Sequence, residues 1–524
     1  MADAGRLKAD VGRGLAWSAT NNLSLRVAGL VVGVVLARLL TPEQFGIYAV
    51  GLTVQTVLMA LADFGLSADL VRSVDPRRRA PTVASLGLVT GGTLTLVMCL
   101  SSGWLASALG SPDAAPVIAV LSWTLLLAGG GVVPFAMLLR RFEQKKLFVI
   151  SAVDFVVGTT VTLTLFFLGA GVVALAIGRV VAQLSTLVLQ FVLANERPRF
   201  SIDRAIVGSV IAFGVPVAAA NLLSWGILGI DKVILVRMVG PVALGYYVLA
   251  FNISTWPMTA VGQVVRSVAL PMFARIRGRY GGGTLACALA PTWTLALTGA
   301  AMLAALSGPL IEVVYGAKWL PAAQLLPPLA VFGAVRVAFD LVVSYLYARG
   351  YSLATMWVQV LWLVCLIGAL VSGVSWLGML GAAYAHLAVS VFIVVPAYLY
   401  ILRVDRCDVT QLAKAAVTPV PIAVVVGFTA HLVASVVDHP VGALAAGIAA
   451  GLLVFVFVGM MWTRARVREL RAHLDDVSAR PSPAAEPGQH RRSRSLHHRP
   501  RGGSRGHRRT RGRNVAARPL EESV

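Results

Sequence analysis

The residues of this chain able to do chemistry are charged and amide side chains stranded inside apolar runs. A charge at mid-bilayer costs about 2.5–3.5 kcal/mol on insertion scales, so one that remains faces a cavity or a partner. Asn22, Arg26 and Gly29 are spaced i, i+4, i+7 and share a helix face. That face is a candidate cavity wall, unless Arg26 sits shallow and snorkels outward. Arg336 and Asp340 are four residues apart, within reach of a salt bridge. The pair reads either as a structural staple or as a site where Arg336 meets an anionic substrate and Asp340 takes a coupling proton. Arg179, with Gln183 and Gln190 following at helical spacing, marks a wet surface or interhelical glue. Asn252 and Gln263 bracket Trp256-Pro257, where proline is expected to kink the helix. Pro257 and Pro241 are the hinge candidates.

Other polar groups read first as structural. Asp63 and Asp69, the latter close to Arg72, read as interfacial. Asp154 is expected to pair with Arg140 or Lys146 at the membrane edge. Asp231, Lys232 and Arg237 are expected after the seventh apolar helix, near the outer mouth, paired with one another. His386 reads as a satisfied core histidine. There is no phosphate-binding Gly-rich loop with Lys-Ser/Thr, no zinc spacing and no Gly-x-Ser-x-Gly elbow, so neither an enzyme nor a cofactor is expected and direct ATP drive is disfavoured. Cys99, Cys287 and Cys365 lie in apolar runs and Cys407 in a basic loop; no disulfide framework and no metal site is expected.

The elements that position these residues are membrane helices. The chain is 57% hydrophobic and 13% charged, with mean hydropathy +0.80, whereas a soluble chain carries about 25% charge. Spanning helices need roughly 20 apolar residues. Fourteen segments qualify, near 15–37, 45–66, 82–109, 114–138, 149–169, 171–193, 206–230, 242–265, 284–306, 321–347, 353–373, 376–400, 415–437 and 441–462. With a cytoplasmic N-terminus, nineteen Lys and Arg fall in inner loops and only Arg38, Lys232, Arg237 and Lys318 in outer ones. That asymmetry supports fourteen helices with both ends inside; twelve, with one hairpin not spanning, is the rival. The polar start, MADAGRLKADVGRG, leads into a full-length helix, so no cleavable signal peptide is expected. Of the net charge of +22, about +10 sits in the tail from Thr463 and most of the rest in short loops, which is membrane topology and not a nucleic-acid signal. Beyond Arg480 the tail has almost no core-building residues; disorder is expected, with its basic part near anionic lipid.

An internal repeat organises the helices. Asn22 to Tyr48 aligns without a gap on Asn221 to Tyr247, matching Asn22 with Asn221, Leu23 with Leu222, Val34 with Val233, Arg38 with Arg237, Pro42 with Pro241, Gly46 with Gly245 and Tyr48 with Tyr247. The tetrapeptide Val-Arg-Ser-Val follows each copy, at 71–74 and 265–268. Related halves in a membrane protein suggest a transporter with its site at their interface. The chain therefore divides into a cytoplasmic start (1–14), an N-terminal bundle (15–200), a C-terminal bundle (201–400), two further helices (401–462) and a basic tail (463–524).

The segment LARLLTPEQFGIYAVGLTVQTVLMALADFGLSADLVR, Leu36 to Arg72, resembles the opening hairpin of bacterial polysaccharide exporters, the Wzx-type oligosaccharide flippases of the multidrug/oligosaccharidyl-lipid/polysaccharide superfamily. RRFEQKKLFVISAVD, Arg140 to Asp154, and LLSWGILGIDKVILVRMVGPVALGYYVLAFNI, Leu222 to Ile253, look like the same family. The resemblance implies an all-α membrane protein of two six-helix bundles around a central cavity, plus two more helices. It implies alternating access in a bacterial plasma membrane and a substrate linked to an undecaprenyl pyrophosphate-type lipid, made for exopolysaccharide, capsule or another surface glycan. It also implies a basic cavity lining, which Arg26 fits best and Arg179 and Arg336 less directly. Trp17, Trp225, Tyr246, Tyr247 and Trp256 are candidates to stack on sugars, although interfacial belts explain tryptophans equally well. Expected partners are the lipid-linked oligosaccharide, a coupling proton or sodium ion, membrane lipids and a polymerase or glycosyltransferase complex. The rivals are a cation-coupled drug antiporter, which would favour Asp63, Asp154 and Asp340, a peptidoglycan-precursor flippase, and a scaffold acting through the Arg-rich tail.

Overall fold

Capping signals and apolar length dictate the elements, and among the described residues every regular element is helical. The structure is a computed structural model describing residues 28–197, 199–275 and 281–479. Asn22, Arg26, Trp17 and the tail beyond 479 lie outside the described residues. The first part of the chain forms α1 (Ala28–Leu39), α2 (Pro42–Ala62), α3 (Leu66–Arg72), α4 (Pro76–Leu100), α5 (Ser102–Ala108), α6 (Ala115–Arg140), α7 (Gln144–Phe167) and α8 (Val173–Ala194). Then follow α9 (Arg204–Val239), α10 (Pro241–Arg275), α11 (Gly281–Ala305), α12 (Ser307–Tyr315), α13 (Leu326–Ala348), α14 (Ser352–Leu377), α15 (Met379–Val389) and α16 (Val395–Val404). The last group is α17 (Val409–Val417), α18 (Pro419–Ser435), α19 (Pro440–Val454) and α20 (Met460–Ala479).

Each expected apolar segment from 45 onward falls on helix. Eleven helical stretches among the described residues are long and apolar enough to cross a membrane. The protein is an all-α, multi-pass membrane protein. In the first bundle α4 packs on α6, α6 on α8 and α7 on α8; in the second, α13 packs on α10 and α11, and α14 on α15. The α18–α19 hairpin packs against α11 and α12. The bundles meet where α2 contacts α9 and α10. Small residues allow the close crossings, as expected where lipid gives helices no hydrophobic reason to associate. At the α4–α6 crossing, a Cβ on Gly87 would lie 2.5 Å from the Gly129 carbonyl oxygen.

Two helix starts matter for the site. Thr41 caps α2 in a capping box with Gln44, with Pro42 in the first turn. Gly240 (φ 92°) ends α9 and Pro241 opens α10, so Pro241 is a helix-start residue. α9 runs unbroken for 36 residues, about 54 Å at 1.5 Å per residue. This corrects the expectation for Asp231 and Lys232: they lie inside α9, not after it, because no helix-breaking residue intervenes before Gly240. α10 continues through position 257 to Arg275; the surroundings of the Pro257 side chain lie outside the described ones.

Candidate functional site

The contact between the two halves leaves a cavity of about 230 Å³ between α2, α9 and α10. Its polar lining is Thr53 and Thr56 from α2, Lys232 from α9 and Asn252 from α10, with Trp225 as its aromatic wall. The threonine hydroxyls donate to Ala49 O (2.8 Å) and Leu52 O (2.6 Å). Their oxygens thus keep acceptor capacity toward the cavity. The Lys232 ammonium lies 5.7 Å from the Phe251 ring centroid, a cation–π distance. Ammonium, amide, hydroxyls and indole together suit an anionic, hydroxyl-rich ligand.

Behind Lys232 the second half buries a polar cluster. Asp231 is 0% exposed and His386 3%. The Tyr247 hydroxyl donates to Asp231 Oδ2 at 2.7 Å, and the Lys232 backbone N–H donates to Asp231 Oδ1 at 2.8 Å. His386 Nε2 lies 3.3 Å from Asp231 Oδ2, while His386 Nδ1 is buried without a hydrogen-bond partner. Three bonds to one carboxylate offset the cost of taking it out of water. The His386 ring packs on Phe332 (4.8 Å) and Phe251 (6.0 Å). A π-helical turn, Ser390–Val394, follows His386 by one helical turn; such turns occur often at functional sites. Arg336 lies 5.8 Å over the Phe332 ring. Cavity, Lys232, Asp231, His386, Phe332 and Arg336 therefore form one contiguous chain of contacts.

The sequence candidates divide across this geometry. Asn252 lines the cavity. Arg336 and Asp340 share α13 and are both half-buried, at the far end of the buried cluster. Arg179 stands apart on α8: it pairs with Asp154 at 3.2 Å, and the Thr186 hydroxyl donates to the same carboxylate at 2.9 Å. That corrects the expected partners of Asp154. Arg140 instead donates to the carbonyls of Val71 (2.9 Å) and Ser73 (2.5 Å), and Lys146 pairs with Glu143. Tyr247 is fully buried against Asp231 and presents no face for stacking, while half-buried Tyr246 packs edge-to-face on Trp319. In sequence alone Lys232, Asp231 and His386 read first as structural. A signal was available for one pair: Asp231 and Tyr247 stand nine and seven residues either side of Gly240, opposite one another in an antiparallel hairpin.

Both ends of the interface between halves are closed by polar contacts. At one end Arg38 Nε donates to Val314 O (2.8 Å), Lys318 Nζ donates to Arg38 O (2.8 Å) and Leu40 O (2.7 Å), and Trp319 Nε1 donates to Ala37 O (2.8 Å). At the other, buried Asp69 pairs with Arg72 (3.1 Å) and Arg79 (3.0 Å). Arg79 also donates to Ser209 Oγ of α9 (2.7 Å), and Arg72 lies 3.6 Å over the Phe213 ring.

A sequence model of the family described as "Polysaccharide biosynthesis protein" matches residues 35–324. The succinoglycan biosynthesis transport protein ExoT of Rhizobium meliloti (strain 1021) is 26% identical over 492 residues, covering 91% of this chain and 98% of that one. The teichuronic acid biosynthesis protein TuaB of Bacillus subtilis (strain 168) is 25% identical, covering 85% of this chain and 94% of that one. Among solved structures, a lipid II flippase MurJ in an inward closed conformation superposes with TM-score 0.72 at 14% identity, covering 86% of this chain and 99% of that one. At that identity the likeness is one of fold.

Proposed function

The chain belongs to the polysaccharide biosynthesis protein family, and from that premise we propose that it flips lipid-linked oligosaccharide units, of the undecaprenyl-pyrophosphate type, between membrane leaflets by alternating access. The observation that carries the reading is the polar cavity at the interface of two repeated halves, with Lys232 as its cation. A lipid-linked sugar has a diphosphate, a polar head and an apolar tail. Lys232 meets the diphosphate as a point charge; Asn252, Thr53 and Thr56 hydrogen-bond sugar hydroxyls, and Trp225 offers a stacking face. The sequence offers Arg26, outside the described residues, as a second candidate cation. The names of ExoT, a transport protein, and MurJ, a flippase, support the same class of activity.

The distribution of Lys and Arg supports cytoplasmic termini, and the bacterial relatives support a plasma-membrane location, with substrate moved from the inner to the outer leaflet. An ion gradient or the substrate gradient supplies the energy, and the buried Asp231–His386 pair is the candidate holder of a coupling proton. Polymerase or glycosyltransferase partners would act on either side of the step.

The test is flipping of a fluorescent lipid-linked oligosaccharide in proteoliposomes by wild type, Lys232→Ala, Lys232→Arg and Arg26→Ala. A charge-assisted hydrogen bond contributes about 1.5–3 kcal/mol, so Lys232→Ala is expected to lose about tenfold or more, with partial recovery in Lys232→Arg. Wild type that moves an organic cation but no lipid-linked sugar sinks the proposal in favour of an antiporter.

A further inference from the structure

A second basic cavity lies away from the interface of the halves. It measures about 540 Å³ and sits where the start of α4, the ends of α6 and α8, and the linker after α8 converge. Four arginines line it, Arg77, Arg141, Arg197 and Arg199, against a single acid, Glu196. Arg141 is already committed: it donates to Ala194 O at 2.7 Å and pairs with Glu196 at 2.5 Å. The linker that carries Arg197 and Arg199 is pinned over α4 by two bonds, Ser201 N–H to Pro81 O (3.4 Å) and Asp203 N–H to Thr82 Oγ1 (3.2 Å). Three arginines thus remain, arranged around one opening, with their single acid neighbour already engaged.

The deeper lining changes character. Val133, Met137 and Phe191 are apolar, and Gly130 forms a floor that leaves Leu88 and Leu187 at 3.6 Å from where a Cβ would stand. On α8, which supplies Phe191 and Ala194 to the lining, Val188 and Val192 are exposed along a helix long and apolar enough to span a membrane. Cations at the rim and an apolar slope below match an amphiphile with an anionic head and a hydrocarbon chain. Free phosphate would use only the upper part.

We propose that this cavity, formed by α4, α6, α8 and the linker between the two bundles, is a binding site for a phosphate-bearing lipid headgroup, distinct from the central cavity. The arginines hold the phosphate through bidentate N–H donation, and the chain lies along Val188 and Val192. Because the linker joins the bundles, an occupied site holds α4 and the start of α9 together at that end. The site does not depend on what the central cavity carries.

The experiment is native mass spectrometry and thermal unfolding of the full-length detergent-purified protein. The probes are phosphatidylglycerol, phosphatidylcholine, undecaprenyl phosphate and inorganic phosphate, each titrated separately. The variants are Arg197→Gln/Arg199→Gln and Arg77→Gln. Arg403→Gln/Lys414→Gln, which removes two exposed charges elsewhere, is the control. Each arginine near a lipid phosphate contributes about fivefold in affinity before screening, so the double variant is expected to bind about tenfold or more weakly while the control stays at wild-type affinity. Wild type retaining phosphatidylglycerol or undecaprenyl phosphate in preference to phosphatidylcholine supports the site, and which of the two binds tighter assigns its source. Equal retention of phosphatidylcholine, equal loss in the control, or saturation by inorganic phosphate with no lipid preference overturns it. The linker variants lose no contact described above, so their thermal unfolding without lipid is expected to match wild type; a variant that unfolds earlier is replaced by Arg77→Gln, on which the same criteria apply.

Discussion

Gly46 and Gly245 face one another across the two halves, each against the proline that opens the other's helix. A Cβ on Gly46 would overlap the carbonyl oxygen of Pro241, and one on Gly245 would overlap that of Pro42 and stand 3.3 Å from the Gly46 nitrogen. These are matched positions of the internal repeat, Pro42 with Pro241 and Gly46 with Gly245. The repeat therefore marks a self-complementary contact between bundles, which explains why those residues, among few others, recur.

Substitution at this contact is expected to act on both copies alike. Gly46→Ala and Gly245→Ala each force backbone apart and should destabilise by about 1–3 kcal/mol, the range for overpacking a tight contact. The pair should cost less than the sum, since one separation relieves both overlaps. Thermal unfolding in detergent reads this; full additivity would mean that the two glycines do not share one contact.

The buried carboxylate gives a second prediction. Tyr247→Phe removes a 2.7 Å bond to Asp231, which is fully buried, and hydrogen bonds to charged groups are worth about 1.5–3 kcal/mol. Asp231→Asn in the same background should return part of that stability by removing the charge left underserved. Measured as a double-mutant cycle on unfolding, a coupling near zero would separate Tyr247 from Asp231 energetically.

Much of the architecture was legible because lipid imposes it. Length, apolarity and loop charge located the helices, and the repeat located the contact between halves. What failed was the reading of charges by neighbourhood in sequence. Asp154 meets Arg179 on the next helix, not Arg140 or Lys146, because pairing follows helix faces across a hairpin. In sequence Asp231 reads as an outer-mouth residue since it closes an apolar run, yet its partner His386 lies 155 residues away. The repeat could not flag it either: the position matching Asp231 in the first copy is Val32. The carbonyl-capping roles of Arg38 and Lys318 likewise need tertiary structure, since a backbone acceptor leaves no mark in sequence.

Acid sensitivity should localise to Asp405, outside the spanning segments. Its side chain is 3% exposed, and Arg349 donates to it from Nε (3.2 and 3.1 Å) and Nη2 (2.9 Å), with the Tyr345 hydroxyl at 2.7 Å. Burial alone would raise its pKa, but the Arg349 and Tyr345 hydrogen bonds outweigh it and hold the carboxyl below the usual range. A depressed folded-state pKa means stability that is complete above the unfolded value, about 3.9, and is lost as pH falls through the lower folded value. Asp405→Asn should unfold earlier at neutral pH and converge with wild type in strong acid. A constant gap between the two melting curves down to acid would remove Asp405 as the titrating group.

The contacts of Arg38, Lys318 and Trp319 set the last expectation. Arg38 donates to Val314 O, Lys318 to the carbonyls of Arg38 and Leu40, and Trp319 to that of Ala37. The last carbonyls of α1 have no intrahelical donors, so Lys318 and Trp319 satisfy them, and Arg38 does the same for Val314 near the end of α12, tying α1 to α12 and the segment before α13. Trp319 is also fully buried between Phe45 (5.4 Å) and Tyr246 (5.9 Å). If this end opens during alternating access, all of these bonds must break together, and water must replace them at the carbonyls. Lys318→Ala should then shift the population toward the state open at this end, because each bond to carbonyl from a charged donor contributes about 1.5–3 kcal/mol and two are lost at once. A cysteine placed at Thr53, within the cavity, should react faster with a membrane-impermeant maleimide added from that side, by about tenfold or more. Trp319→Phe, which keeps the packing and removes one neutral bond, should shift the rate in the same direction by less. Unchanged labelling in both would mean that this end stays shut through the cycle, and that the cavity exchanges with solvent only past Asp69 and Arg79.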